Sequence, residues 1–293
     1  MDGSLSHPVW NLAPWSELFI DIEGVAIPPL RTRMKMLWDS CCLYIGAEME
    51  EPHLWATLTE RDSVIFQDND FEVFIDPDDD HHNYVELEVN ALGTEWDLLL
   101  PKPYRDGGPA INAFDIAGLR TAVRLEGSLN DPSDVDRGWS VTIALPFEAL
   151  ASVSNRPMPP KPRERWRINF SRVEWDLEVV NGQYRKLPDS PEHNWVWSPQ
   201  WAIDMHRPEL WGFLEFQEEA GPVAPDPYWR ERCALMDIYH AQRARSSGDA
   251  LQPVPSDPAE VSVLSHEGYW SASVQALDGT LLTLDHESRL IVR

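Results

Sequence analysis

The chemistry that the sequence offers first lies in one stretch, DNDFEVFIDPDDDHHNYVELEVN, residues 68–90. Glu72, Glu86 and Glu88 sit within runs that alternate polar and apolar residues, and Asp76, Asp78, Asp79 and Asp80 crowd the segment between them. Period-two alternation predicts two strands, with Glu72, Phe74 and Asp76 on one face and Phe71, Val73 and Ile75 on the other. If the hairpin closes symmetrically through PDDDHHN, Glu72 lies opposite Glu88 and Phe74 opposite Glu86. Facing carboxylates cost up to about 1 kcal/mol, and more when desolvated, so something must offset them.

Three arrangements would do so. A basic neighbour such as Arg172 or Arg105 would form an ion pair. A polyhydroxylated ligand would donate hydroxyl hydrogen bonds to both carboxylates. A glycoside-cleaving site would use Glu72 and Glu88 as acid and base or nucleophile, with a separation of about 5 to 9 Å deciding the stereochemical route. The loop acids point to a hard cation instead, because Asp76, Asp78 and Asp80 have the alternate spacing that opens calcium loops. An EF-hand is excluded: His81 stands where its glycine would turn the loop, and Leu87 stands at position twelve. A solvated acidic turn is the plain alternative for this loop.

Other chemistries find little support. His81 and His82 are adjacent and point apart on an extended chain, while His53, His193 and His206 are isolated, so no zinc spacing is present. The neighbouring Met205 and His206 are a poor haem pair, since such ligands come from separate strands. There is no Gly-rich phosphate cradle and no GxSxG elbow. Cys41, Cys42 and Cys233 suit neither a disulfide framework nor a nucleophile. With 49 acids against 24 bases, a formal charge of −25, nucleic acid and anionic membranes are disfavoured as partners. No apolar run approaches the roughly 20 residues of a membrane span. MDGSLSHPVW lacks an export signal, which predicts a chain that is cytoplasmic or exported with its signal removed.

The elements that must position the acids read as an all-β fold. Residues 19–216 are short β runs broken by Asp, Asn, Gly and Pro, the pattern of an antiparallel, jelly-roll-like β-sandwich. Strands are expected at 34–38, 43–49, 95–100, 119–126, 139–145, 166–173, 194–198 and 211–216, besides the acidic pair. Residues 51–69 are too irregular for a strand and suit a short helical turn. Fourteen Trp serve either as core or as platforms for sugars. After AGPVAPDP the texture changes, dividing the chain into a sandwich over 1–218 and an extension over 219–293. Residues 228–245 have a helical rhythm, with Trp229, Cys233, Met236 and Tyr239 or His240 on one face and Asp226 and Pro227 at its start. SSGDALQPVPSDPAE reads as a linker, and 267–293 as a hairpin or small meander about an Asp-Gly turn.

Several blocks in order carry a resemblance: LWDSCCLYIGAEM, EPHLWATLTERDSVIFQDNDFEVFIDPD, HNYVELEVNALGTEWDLLL, GWSVTIALPFEAL, WRINFSRVEW and WSPQWAIDMHRPELWGFLEF. Over residues 15–216 the chain resembles the family 9 carbohydrate-binding modules and their standalone family 9-like relatives. The resemblance implies a β-sandwich that holds calcium and grips sugar chain ends between aromatic rings. It matches Glu72 to a strand Glu that accepts sugar hydroxyls, and Phe66 to a clamping Trp. It sets Glu88 where the family carries an Arg and Met205 in place of the second clamping Trp, with Trp201 and His206 close by. A structural Ca2+ is then expected among Asp68, Asp70 and Asp76, joined by Asp78 and Asp80. The function expected is recognition of a mono- or oligosaccharide end in a polar, aromatic-lined cleft. Glu72 and Glu88 would accept hydroxyls, Phe66, Trp55 and Trp201 would stack, and Arg172, Asn90 and His206 would support. The alternative is a glycoside hydrolase-like enzyme on the same scaffold, with Glu72 and Glu88 as its catalytic pair, assisted by a cation. A third expectation, a purely structural or protein-interaction sandwich, requires the pocket to be filled by side chains.

Overall fold

The computed structural model describes residues 1–247, 260–266 and 269–293. In chain order its strands are β1 Ile20–Asp21, β2 Thr32–Trp38, β3 Cys42–Glu50, β4 Asp70–Asp76, β5 Tyr84–Asn90, β6 Glu95–Leu100 and β7 Arg120–Glu126. They continue with β8 Gly138–Pro146, β9 Arg165–Glu174, β10 Leu177–Val180, β11 Gln183–Lys186, β12 His193–Val196 and β13 Gly212–Glu215. A short helix, α1 Phe147–Leu150, follows β8. One sheet has the order β2-β3-β8-β7. The other runs β1-β12-β9-β4-β5-β6, with β13 also paired to β9, and every pairing is antiparallel. The expected sandwich is therefore present.

Alternation decides what each face of the larger sheet touches. Phe71, Val73 and Ile75 of β4 and Val85, Leu87 and Val89 of β5 face the smaller sheet, where they pack with Ile45, Val141 and Ile143. The opposite face carries Phe74, Tyr84, Trp96 and Leu98, which form a second apolar cluster with Ile22, Met205 and Trp211. Trp211 and Trp166 are wholly buried, so much of the tryptophan content is core. One hairpin escapes the sequence reading: β10 and β11 pair across Asn181 and Gly182, at φ 55° and 76°. An Asn-Gly between β-prone runs is the signature of a type I′ turn, so VVNGQY held the signal.

Beyond the sandwich, α2 Trp229–Ser247 packs on β14 Ser262–His266, β15 Tyr269–Gln275, β16 Leu281–Asp285 and β17 Leu290–Val292, a four-stranded antiparallel sheet. The small hairpin is thus a full meander, because Ala272, Val274, Leu282 and Leu284 bury one face against Leu235 and Tyr239, a layer that two strands could not complete. Asp226 accepts the backbone N–H of Tyr228 at 3.0 Å, as expected of a capping residue. Trp229 departs from the expected buried face and stays 41% exposed, while Cys233, Met236, Tyr239 and His240 are buried. Most of the expected linker lies outside the described residues.

Candidate functional site

The β4–β5 register pairs Glu72 with Glu88 and Phe74 with Glu86, as symmetric closure predicts. On the next strand Trp96 lies opposite Glu88, and on the other side Ser171 lies opposite Glu72. Above this outer face a cleft of about 330 Å³ opens, lined by Phe66, Glu72, Glu86, Glu88, Trp96 and Tyr104, with Phe74, Met205 and His206 also in its wall. Two groups of rings meet there. Phe66 stacks with Trp96 at a centroid distance of 6.5 Å, and Tyr104 meets the edge of His206 at 4.4 Å, with Phe74 5.8 Å from the same imidazole. The pocket is open, so the purely structural reading fails.

The carboxylates have no basic partner in that wall, which contains neither Lys nor Arg. Arg172, one expected neutraliser, is buried and pairs instead with Glu51 at 2.9 Å and Glu174 at 2.8 Å, beside the Trp195 ring. Arg105, the other, grips Glu209 through two hydrogen bonds of 3.0 and 2.8 Å. Burial therefore dominates the acids. It lifts Glu72 to about 7, and it raises Asp70, Glu86 and Glu88 well above the carboxylate range, the negative charge of Glu72 adding to the rise of all three. His206 is pushed down to about 3 by burial and by Arg105, so it is neutral, with Nδ1 2.9 Å from the Tyr84 hydroxyl.

Phe66, Glu72, Glu88, Met205 and His206 are the expected residues that the fold brings together. Four others lie outside the cleft. Asn90 ties the β5 end, donating to the Leu58 carbonyl and to Asp68 while its Oδ1 accepts from Leu92 and Thr94. Trp55 is buried under Lys186. Arg172 serves the Glu51–Glu174 pair. Trp201 is 51% exposed and packs over Gly24, where a Cβ would stand 2.7 Å from its ring. Sequence reading missed Trp96 and Tyr104, and singled out Glu86 without giving it a ligand-binding role. Trp96 was legible in principle, since it shares a face with Glu88 once β5 and β6 pair; Tyr104 arrives on a loop and had no such signal.

The acidic loop between β4 and β5 is a different place. Asp76 accepts the backbone N–H groups of Asp79 and His81 at 2.9 and 2.8 Å. Asp79 pairs with Arg167 and Arg232, and Asp80 with Arg289. His81 Nδ1 lies 3.0 Å from the Ser288 carbonyl oxygen, and the Leu290 N–H donates to the Asp80 carbonyl at 3.0 Å. The expected solvated turn is thus covered by α2 and the meander. His81 adopts φ 70°, Asp79 60° and Asn83 51°, so the left-handed turns are made without glycine and are held by these contacts. Asp76, Asp78 and Asp80 still present oxygens within 4.8 Å of one another. Asp68 lies apart from them: it accepts from the N–H groups of Thr57 and Leu58 and from the Thr57 hydroxyl, capping that bend.

The carbohydrate family 9 binding domain-like model matches residues 1–97, in accord with the resemblance read from the motifs. A protein from Bacteroides uniformis put forward as carbohydrate-binding superposes with a TM-score of 0.53 at 16% identity, over 71% of this chain and 88% of that one. At that identity the likeness speaks for the fold. A family 9 carbohydrate-binding module from Caldicellulosiruptor kristjanssonii, in complex with cellotriose, gives a TM-score of 0.49 at 16% identity, over 77% of this chain and 94% of that one. The same module with glucose gives 0.48. No curated protein matches the chain.

Proposed function

We propose that the cleft over β4, β5 and β6 binds the end of a mono- or oligosaccharide. One observation carries the reading: a cleft of about 330 Å³ combines aromatic rings with five carboxylates, of which Glu72, Glu86 and Glu88 on the sheet have no Lys or Arg beside them in its wall. Its volume suits a small ligand. Sugar hydroxyls donate to carboxylates, and the apolar C–H faces of a pyranose lie against Phe66, Trp96 or Tyr104. The Trp96 indole N–H is buried without a partner and would donate to a hydroxyl oxygen, which both donates and accepts. The match of residues 1–97 to a carbohydrate-binding family supports the same class of ligand.

Hydrolysis is not favoured. A glycosidase sets its two carboxyl groups on either side of the scissile bond. Here Glu72 and Glu88 are direct neighbours on one face of one sheet and approach a ligand from the same side. The test is a screen of free sugars and oligosaccharides, read by melting temperature, calorimetry and product chromatography. Saturable stabilisation by one sugar class, lost in Glu72→Gln and without product release, is expected. If no sugar shifts the melt or gives heat, the cleft serves another ligand and the reading falls.

A further inference from the structure

The floor of the cleft goes deeper than its visible lining. Asp70 begins β4 two residues before Glu72, on the same face, and is fully buried below the wall of the cleft. Asp70, Glu72 and Glu88 each present one carboxylate oxygen within 4.8 Å of the other two. Asp70 Oδ1 accepts the Val173 N–H at 3.2 Å, and its Oδ2, equally buried, has no partner. Glu88 accepts the Phe66 N–H at 2.7 Å through Oε2. Glu86 adds a fourth carboxylate beside them. Three buried acids converging on one point, one of them with an orphaned oxygen, ask for a positive centre.

We propose that Asp70, Glu72 and Glu88 form a divalent-cation site at the floor of the cleft, of the size and donor type that suits Ca2+. An all-oxygen, all-carboxylate set selects a hard ion over Zn2+ or Cu2+. Ca2+ takes six to eight oxygens, whereas three carboxylates supply three to six, so the remaining positions face the cleft. There, if the saccharide reading holds, adjacent ligand hydroxyls complete the sphere, and the ion becomes the contact that orients the sugar. The β4–β5 loop is the weaker candidate. Its Asp80 is already bound to Arg289, Asp76 is committed to two backbone N–H groups, and Arg167 and Arg232 add positive charge through Asp79.

The test uses the full chain stripped of metal with a chelator. Calorimetric titration with CaCl2, and Tb3+ emission excited through tryptophan, should show one saturable site, and Ca2+ should raise the melting temperature. Asp70→Asn is expected to weaken binding at least tenfold, and Glu88→Gln to do the same should Asp70→Asn fold poorly. Asp78→Asn should leave affinity unchanged. Failure of Ca2+ to bind the wild type overturns the proposal, as does loss of binding in Asp78→Asn with retention in both cleft variants. A cleft that binds glucosamine but its neutral counterpart poorly, with no Ca2+ uptake, also overturns it and assigns the acids to an ammonium group. The two readings separate cleanly. Sugar binding that persists in chelator without any Ca2+ site sinks the ion alone, and Ca2+ binding without any sugar response sinks the saccharide alone.

Discussion

Two acidic clusters share the β4–β5 ribbon, and the fold treats them oppositely. At the loop, Asp79 is met by Arg167 and Arg232 and Asp80 by Arg289, two of these three bases coming from the extension. Halfway down the ribbon, Glu72, Glu86 and Glu88 open on a cleft without Lys or Arg. A buried charge that is paired and a buried charge that is not differ in what they can do. Paired with these bases, Asp79 and Asp80 fasten the sandwich to the extension. The ribbon carboxylates carry an unmet demand for protons, hydroxyls or a cation, which makes the cleft receptive.

The sharpest way to break this contrast is at the sealed cluster. Arg232→Met leaves Asp79 buried with Arg167 alone, and a loss on the order of 3 kcal/mol is expected in urea unfolding. An unchanged midpoint would mean that the extension does not depend on this pair.

The open cluster should respond to pH with the reverse sign. Glu72 ordinarily titrates near 4.5 and is lifted to about 7, so between those values the folded chain holds a proton that the unfolded chain has lost. Stability therefore falls as pH rises from about 4.5 through 7, by roughly 3 kcal/mol for this group alone, and the upward shifts of Glu86 and Glu88 act in the same direction. Glu209 works the other way: with Arg105 beside it, it titrates near 2, so its stabilisation is present above 4.5 and disappears as pH drops through 2. Melting of metal-free protein from pH 5 to 8 checks the falling limb. Glu72→Gln should flatten it and stabilise the chain at pH 8.

A smaller effect sharpens the ligand side. Phe66→Ala should weaken saccharide binding about tenfold, ~1.4 kcal/mol, with little change in melting, since Phe66 is only half-buried. Equal affinity in that variant would remove the ring from the site. Smallest of all, Arg31→Ala breaks an exposed pair with Glu50 and should leave the melting temperature where it was.

Much of this was legible because a strand's side chains alternate. The period of two sent Phe71, Val73 and Ile75 inward and set Glu72 against Glu88, and turn residues marked most strand ends. The same rule could have added Trp96 through its register with Glu88, and the Asn181-Gly182 turn announced a hairpin that went unread. What stayed hidden were partners remote in sequence. Arg172 and Arg105 were reasonable neutralisers by residue type, yet each is claimed by acids elsewhere. Trp55 and Trp201 had the right chemistry for stacking and the wrong location. The acidic loop read as solvated because its cover is 209 residues further along, where Arg289 reaches Asp80.

Local order along the chain, then, determined the face on which each acid stands and the residue across the ladder from it, because those relations depend on backbone geometry over a few residues. Only the tertiary structure decided which acids meet a base and which face an open cleft. Charge neutralisation is a matter of distance in space, and distance between segments far apart in the chain is set by how the layers pack.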